Sequence, residues 1–455
     1  MEIKIKLGNR IPPILIPILF FATVIICGAI LLHQSFSYNN ISISWIDSLF
    51  TSVSATCVTG LTVIDTGTSF NQTGQLIILM LIQLGGLGIM SFTSLTIFLW
   101  RKRISLIDRI AVGQSLLYDP SFNLGKFLIR LVTVTFLIEG IGAFLLFAVA
   151  PVHFSPFSAL FHSISAFCNA GFSLFTNSLM AFRGNWAVNI IIMGLIILGG
   201  LGFFVVIEGY FYFFSILGMK KIKPKISWNS AVIIKTSLFL IVVGWFFIYF
   251  AEFIGYKKYL PFSEAVLASL FQSVTSRTAG FNTLDIAQMT NVSMIFIIML
   301  MFVGGAPGSC AGGIKVTTFR LIWAFIISKL KGRHQVIIGK FAVDKESINR
   351  AIVLIFFSFA LIFFSILLLD ITEGGDIPHM QARGRFMEIV FEVVSAFGTV
   401  GLSTGLTAKL SIIGKITIIA LMFIGRLGPL LLLSALQSLQ TSVIYSIPEE
   451  PIVIG

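Results

Sequence analysis

Eight apolar runs divide the chain, near residues 13–33, 74–99, 131–150, 187–214, 236–254, 293–319, 351–369 and 414–437. Each is close to or beyond the roughly 20 residues with which a helix crosses about 30 Å of hydrocarbon. Inside lipid a backbone must satisfy its own N–H and C=O groups, so runs of this kind fold as helices. The chain therefore reads as an all-α polytopic membrane protein with eight transmembrane helices. Charged residues make up only 11% of it, against about 25% in soluble globular proteins, which removes the soluble alternative. The apolar stretch Ile14 to Leu32 is longer than the core of a signal peptide, and no small-x-small cleavage site follows it. It is expected to stay in the membrane.

The formal net charge is +12, and its distribution is lopsided. With the runs crossing in alternation, the N-terminal tail and residues 101–130, 220–235 and 315–350 share one side and hold 22 Lys and Arg. The opposite side holds 7, and Lys415 and Arg426 lie inside the last run. Excess Lys and Arg mark the cytoplasmic face, so both termini are expected there. Charge bias also explains the basicity without nucleic acid as a partner. Arg101, Lys102 and Arg103, and Lys220, Lys221, Lys223 and Lys225, are read first as part of this solvated charge bias, with anionic membrane lipid or an acidic partner as the functional alternative. No inner segment exceeds roughly 40 residues, too few for a separate domain of ordinary size, so regulation is expected to come from another chain. The GGLG stretches at 85–88 and 199–202 lie within apolar runs and do not follow a strand, which argues against a nucleotide loop. Cys27, Cys57, Cys168 and Cys310 form no CxxC, and the five His are scattered, so neither a disulfide framework nor a metal site is expected.

Between the runs of each pair lies a segment unlike an ordinary loop. The four read FTSVSATCVTGLTV (50–63), FHSISAFCNAGFSL (161–174), FQSVTSRTAGFNTL (271–284) and FEVVSAFGTVGLST (391–404). Phe and Gly are 10, 10, 9 and 10 residues apart, and successive Gly are 111, 109 and 121 apart. This is a fourfold internal repeat, with units 1–110, 111–225, 226–345 and 346–455. Ser44 with Asp47, Ser155 before Pro156, and Pro261 before Ser263 and Glu264 are helix-start signals for the first three. About 12 residues at 1.5 Å each give ~18 Å, which cannot span. Four re-entrant pore helices are expected, each followed by a non-helical stretch of the kind tolerated where it lines a water-filled path.

Gly60, Gly171, Gly280 and Gly401 are common to all four copies. Glycine reaches backbone angles closed to other residues, so neighbouring carbonyls can point one way. Four such loops around an axis would present rings of carbonyl oxygens, which replace the hydration shell of a potassium ion. The preceding helices would turn their negative C-terminal ends toward the same axis. The expected ion ligands are Val58, Thr59 and Gly60; Asn169, Ala170 and Gly171; Thr278, Ala279 and Gly280; and Thr399, Val400 and Gly401. No carboxylate lies in these stretches, which disfavours a divalent-cation pore built on acidic rings.

With the span, loop, span unit repeated four times and the triplets VTG, NAG, TAG and TVG, the sequence resembles the Trk/Ktr/HKT superfamily of potassium transporters. Within it, the chain looks most like the membrane subunit of bacterial Ktr systems, over essentially its whole length. The resemblance implies a pseudo-fourfold, channel-like subunit in the bacterial cell membrane, forming a homodimer with one pore per protomer. It implies K+ uptake with Na+ stimulation, K+ as the bound and carried ion with Na+ as a second cation, and no enzymatic activity or organic cofactor. A cytosolic nucleotide-binding ring subunit, KtrA-like, is the implied regulatory partner. Gly in all four loops resembles potassium-selective members, whereas Ser in the first loop is associated with sodium permeation. Only one copy reads TVG, none continues to TVGYG, and the third loop is one residue short, so fewer defined ion sites are expected than in a four-chain potassium channel.

Below the loops, Gly85, Gly199, Gly304 and Gly425 follow the filter glycines by 25, 28, 24 and 24 residues. In the third repeat the run breaks into Gly304-Gly305-Ala306-Pro307-Gly308-Ser309-Cys310-Ala311-Gly312-Gly313-Ile314-Lys315. Each Gly costs about 1 kcal/mol and Pro about 3 in a helix interior, so a non-helical hinge is expected. Unwound mid-membrane segments mark ion paths, and by resemblance to the family's intramembrane loop this one is a gate. Packing of small residues against a neighbouring helix is the alternative. Arg426, in mid-span, resembles the family's pore-facing Arg; an ion pair with Glu139 is its alternative. Arg277 is expected to brace the third loop, and Glu208 and Glu252 to snorkel or cap. The rival classes are a membrane-embedded enzyme, which needs convergent acids, bases or nucleophiles, and a secondary cation symporter of a different fold, which would carry inverted repeats.

Overall fold

The computed structural model describes residues 16–39, 42–87, 124–216, 226–255, 260–375, 378, 380, 382 and 384–428. The first repeat contributes α1 (Ile16–His33), α2 (Trp45–Thr56) and α3 (Gln72–Gly86). The second contributes α4 (Leu124–Val149), α5 (Pro156–Phe167), α6 (Trp186–Gly200) and α7 (Phe203–Ile216). The third has α8 (Trp228–Tyr249), α9 (Phe262–Thr275), α10 (Asn291–Phe302) and α11 (Val316–Leu330), and the fourth α12 (Lys345–Leu369), α13 (Arg385–Gly398) and α14 (Ile412–Leu427). Ile337–Ile338 and Phe341–Ala342 pair as a short antiparallel hairpin between α11 and α12. Asp344 caps α12 by accepting the Ser347 N–H at 2.9 Å, and that bond holds its carboxyl below the usual carboxylate range.

Ile129–Val149, Trp228–Gly255 and Lys345–Gly374 are long and apolar enough to cross a membrane, so the chain is membrane-integral. The ends of the second and eighth apolar runs, both chain termini and the clusters at 101–103 and 220–225 lie outside the described residues. One departure from the sequence expectation falls in the run 187–214, read as one span. It is two helices, bent by 109° at the break after Gly200. Gly202 holds φ 87, and the freed Phe203 N–H donates to Gly308 O at 3.0 Å. A Cβ on Gly202 would lie 2.8 Å from Pro307 O. The apolar run conceals this bend because hydropathy carries no directional information.

The short helices form as their caps dictate. Ser44 accepts the Asp47 N–H at 3.2 Å and donates to Asp47 Oδ2 at 2.7 Å. Ser155 accepts the Ser158 N–H at 3.2 Å, with Pro156 in the first turn. α9 begins behind Pro261 without a side-chain cap, and α13 begins behind left-handed Gly384. α2 and α5 have 12 residues, α9 and α13 have 14, lengths of about 18–21 Å. Each is anchored by the Phe that opens its copy, and Phe50, Phe161, Phe271 and Phe391 are all fully buried, worth about 1.5–3 kcal/mol apiece. Hydroxyls pin three of these helices to the first span of their repeat. Ser52 donates to Ile25 O, Ser163 to Glu139 O and Ser273 to Ile241 O, each at 2.7 Å. In the fourth copy the position is Val393.

Contacts between repeats run in a cycle. α3 packs on α5, α6 on α9, α10 on α13, and α14 returns to α2. Lys415 pairs with Asp47 at 2.7 Å across the closing junction, and Arg183 with Glu264 at 3.4 Å across the second. One linear sequence thus closes into four quadrants.

Candidate functional site

Each short helix runs into a loop whose backbone alternates in hand. Val58, Asn169, Thr278 and Thr399 have φ of 56, 58, 76 and 50°, and Gly60, Gly171, Gly280 and Gly401 have 92, 68, 80 and 89°. The residues between them, Thr59, Ala170, Ala279 and Val400, are not left-handed. A left-handed non-glycine residue costs about 1–2 kcal/mol, and such strain persists where the surroundings over-determine it. Here the backbone does so. Thr59 N–H donates to Ser54 O (2.8 Å), Ala170 to Ser165 O (2.7 Å) and Val400 to Ser395 O (2.8 Å), each reaching five residues back. In the third copy Ala279 donates to Thr275 O at 2.9 Å, four residues back. The missing residue is absorbed in that tighter turn, and Gly280 still arrives in register.

A second brace comes from hydroxyls that the sequence reading did not single out. Ser54 accepts the Gly60 N–H at 3.1 Å, and Ser165 donates to Phe172 O at 2.8 Å. Thr275 donates to Phe281 O at 2.6 Å, and Ser395 to Leu402 O at 2.7 Å. The signal was present, since a Ser or Thr stands four residues after Phe in every copy. Behind the fourth loop, fully buried Glu392 accepts from Ser403 Oγ (2.5 Å), Thr404 N (3.0 Å) and Thr407 Oγ1 (2.7 Å). At the matching position of the second copy His162 contacts Ser173 Oγ at 3.0 Å.

The four glycines meet in a closed ring. A Cβ placed on Gly60 would fall 2.4 Å from Ala170 O, on Gly171 2.9 Å from Ala279 O, on Gly280 2.5 Å from Val400 O, and on Gly401 2.1 Å from Thr59 O. Each glycine therefore abuts the carbonyl preceding the next, and the fourth returns to the first. All twelve residues named for the loops are thus drawn to one place. The hydroxyls of Thr59 and Thr278 are buried there with no hydrogen-bond partner among the described residues.

Residues 303–315 lie non-helical between α10 and α11, and their bonds reach the other three repeats. Ala306 N–H donates to Gly200 O (2.9 Å), Cys310 N–H to Gly199 O (3.2 Å) and Gly313 N–H to Gly425 O (3.3 Å). Cys310 Sγ donates to Gly86 O at 3.1 Å, and Gly312 N–H to Thr399 Oγ1, in the loop of the fourth copy, at 3.1 Å. The loop closes on itself through Gly304 N–H to Ile314 O at 2.9 Å, and Lys315 Nζ holds Ala311 O at 2.7 Å. Arg426 donates to Cys310 O and Gly85 O. Glu139 is not its partner; that carboxylate accepts from Gln83 Nε2 at 3.1 Å. The aligned glycines Gly85, Gly199 and Gly425 let the second spans touch the C-terminal ends of their own short helices, where a Cβ would meet Thr56 O, Phe167 O and Phe397 O at 2.0, 1.7 and 2.0 Å. Gly304 faces Gly312 O instead, because its span has turned into the loop. Glu208 accepts from Ser227 and Glu252 from Thr290, both capping the helix that follows.

A closed ring of glycines and backbone carbonyls inside a membrane-integral helical fold, with the loop 303–315 bonded to all the other repeats, is an arrangement suited to a transport protein, and the comparisons with known proteins give the family. The model of the TrkH family, described as cation transport protein, matches residues 19–440; the chain belongs to this family. It is 40% identical over 436 residues to the Ktr system potassium uptake protein B of Bacillus subtilis, covering 94% of this chain and 93% of that one. It is 35% identical over 460 residues to the potassium/sodium uptake protein NtpJ of Enterococcus hirae, covering 99% of both. In fold it matches the crystal structure of the potassium transporter TrkH from Vibrio parahaemolyticus with a TM-score of 0.73 at 22% identity, over 96% of this chain and 86% of that one.

Proposed function

We propose that the chain is the potassium-translocating subunit of a bacterial uptake system, conducting K+ through a filter of backbone carbonyls under the control of the loop 304–315. The observation that carries this is the closed ring of Gly60, Gly171, Gly280 and Gly401 against the carbonyls of Ala170, Ala279, Val400 and Thr59. Main-chain oxygens gathered in this way substitute for the water around a dehydrated cation. The unpartnered hydroxyls of Thr59 and Thr278, one and two residues before their glycines, add oxygens within the same loops. In this reading there are eight spans and four pore helices in four units, 1–110, 111–225, 226–345 and 346–455, with both termini cytoplasmic. The relatives named as components B and D of Ktr systems support K+ as cargo and a multi-component assembly. The Enterococcus relative's name supports Na+ as a second cation. The assembly is a homodimer regulated by a cytosolic nucleotide-binding ring. Transport is favoured over an embedded enzyme because the polar groups converging on the axis are mostly carbonyls and hydroxyls, which coordinate a cation but are neither acids nor bases near neutral pH.

The test is growth of a potassium-uptake-deficient bacterial strain on limiting K+, with this chain alone, with a ring partner, and with Ser at each filter glycine. Wild-type rescue that is lost in the Ser variants is the expected outcome; equal growth with and without the chain refutes the proposal. Two narrower outcomes follow. Arg426→Ala frees Cys310 O and Gly85 O and should raise rubidium-tracer flux into proteoliposomes without the ring by roughly tenfold, the ratio for one charge-assisted bond, while the protein stays monodisperse. Glu392→Gln keeps the shape but turns an amide N–H₂ toward hydroxyl and N–H donors, costing about 1–3 kcal/mol. A lowered thermal midpoint and weaker K+ preference over Na+ in tracer competition should report it.

A further inference from the structure

Arg277 is placed by its backbone at the threshold of the third filter loop, between Ser276, which closes α9, and left-handed Thr278. Its side chain turns away from the ring. One guanidinium nitrogen donates to Ser237 O on α8 at 3.1 Å and the other to Gly304 O at 3.0 Å. Gly304 is the first residue of the axial loop, and a Cβ there would meet both Gly312 O (2.1 Å) and Thr278 Cγ2 (3.3 Å). One side chain therefore spans the filter threshold, the first span and the root of the loop. At the matching position the other copies have Cys57, Cys168 and Gly398, none long enough to cross to its second span. The long cation occurs in the repeat that carries the loop.

A small cavity adjoins this tie. Arg277, Ser237, Ile241, Gly200 and Gly305 are among the residues that line it, and its volume is about 20 Å³, room for one water molecule. Arg277 is 8% exposed, and its Nε has no hydrogen-bond partner among the described residues. Of the five guanidinium N–H donors two are engaged, and the nitrogen with no partner, Nε, belongs to a side chain that lines free volume beside the loop root.

We propose that Arg277 is a positioning residue that ties the third filter loop to the root of the axial loop, so that the two move as a unit. This rests on the reading of the ring as a potassium filter and of 304–315 as its gate. Releasing the tie frees the loop and loosens one quadrant of the filter together. A residue that only stiffened the filter would change selectivity whether or not the axial loop is present.

The test is a double-mutant cycle in proteoliposomes, with Arg277→Met and Arg277→Lys in the full chain and in a chain lacking residues 306–312, read as rubidium flux and as Na+ competition. In the full chain Arg277→Met should raise flux roughly tenfold, as expected for a lost charge-assisted bond, and weaken K+ preference, with Arg277→Lys in between. In the loop-deleted chain Arg277→Met should leave flux unchanged. Wild-type flux and selectivity in a folded Arg277→Met full chain, or the same shift in both backgrounds, would overturn the proposal. If Arg277→Met does not assemble, Arg277→Lys completes the cycle by the same criteria. Gly171→Ser in the full chain separates the two readings: unaltered K+ preference there means the filter reading itself has failed.

Discussion

Gly401→Ala should lower potassium flux by roughly a hundredfold, more than Ala at any of the other three ring glycines. A new Cβ would stand 2.1 Å from Thr59 O at a backbone φ of 89°. Left-handed geometry costs Ala about 1–2 kcal/mol and overpacking about 1–3, together about one and a half to three and a half decades in an equilibrium constant. The carbonyl cannot yield freely, because Thr59 is held by its N–H bond to Ser54 O at 2.8 Å. Clearance ranks the rest: Gly60 at 2.4 Å, Gly280 at 2.5 Å and Gly171 at 2.9 Å, so Gly171→Ala should be the mildest. Tracer flux into proteoliposomes, normalised to monodisperse protein, measures the series. An order unrelated to clearance would remove the ring as its cause.

Deleting residues 306–312 should have the largest effect in the opposite direction, raising flux about ten- to a hundredfold in the absence of any regulatory partner. The deletion is sterically mild, since Gly304 already touches Gly312 and Val303 bridges Ile314. It removes the bonds from Ala306 to Gly200, Cys310 to Gly199, Gly312 to Thr399 and Arg426 to Cys310. Each is worth about 0.5–1.5 kcal/mol net, so their sum holds the loop against the other repeats by several kcal/mol. Unchanged flux in a folded deletion variant would mean that the loop is a packing element.

The repeat and the meeting of its glycines were legible because they rest on spacing: Phe to Gly within a copy, Gly to Gly between copies. The helix starts were legible from Ser44, Ser155 and Pro261, since caps are local chemistry. What escaped was direction. Val58, Thr278 and Thr399 are β-branched, and propensity argues against left-handed backbone there; only the closed ring and the backward N–H bonds impose it. The bend at Gly202 lies in a run of uniform hydropathy and depends on Gly308, about a hundred residues later. Arg277 was expected to brace its own loop, yet its guanidinium finds carbonyls at 237 and 304, partners that only the folded chain brings near.

The axial loop also bears on why four units are joined covalently. A tetramer of identical chains would have to place four such loops on a symmetry axis whose space admits one. Fusion into a single polypeptide lets each quadrant diverge, so that one gives up a continuous span while its neighbours supply Gly86, Gly199 and Arg426 as the seat. Broken symmetry is thus a condition for seating one such loop among three quadrants that lack it.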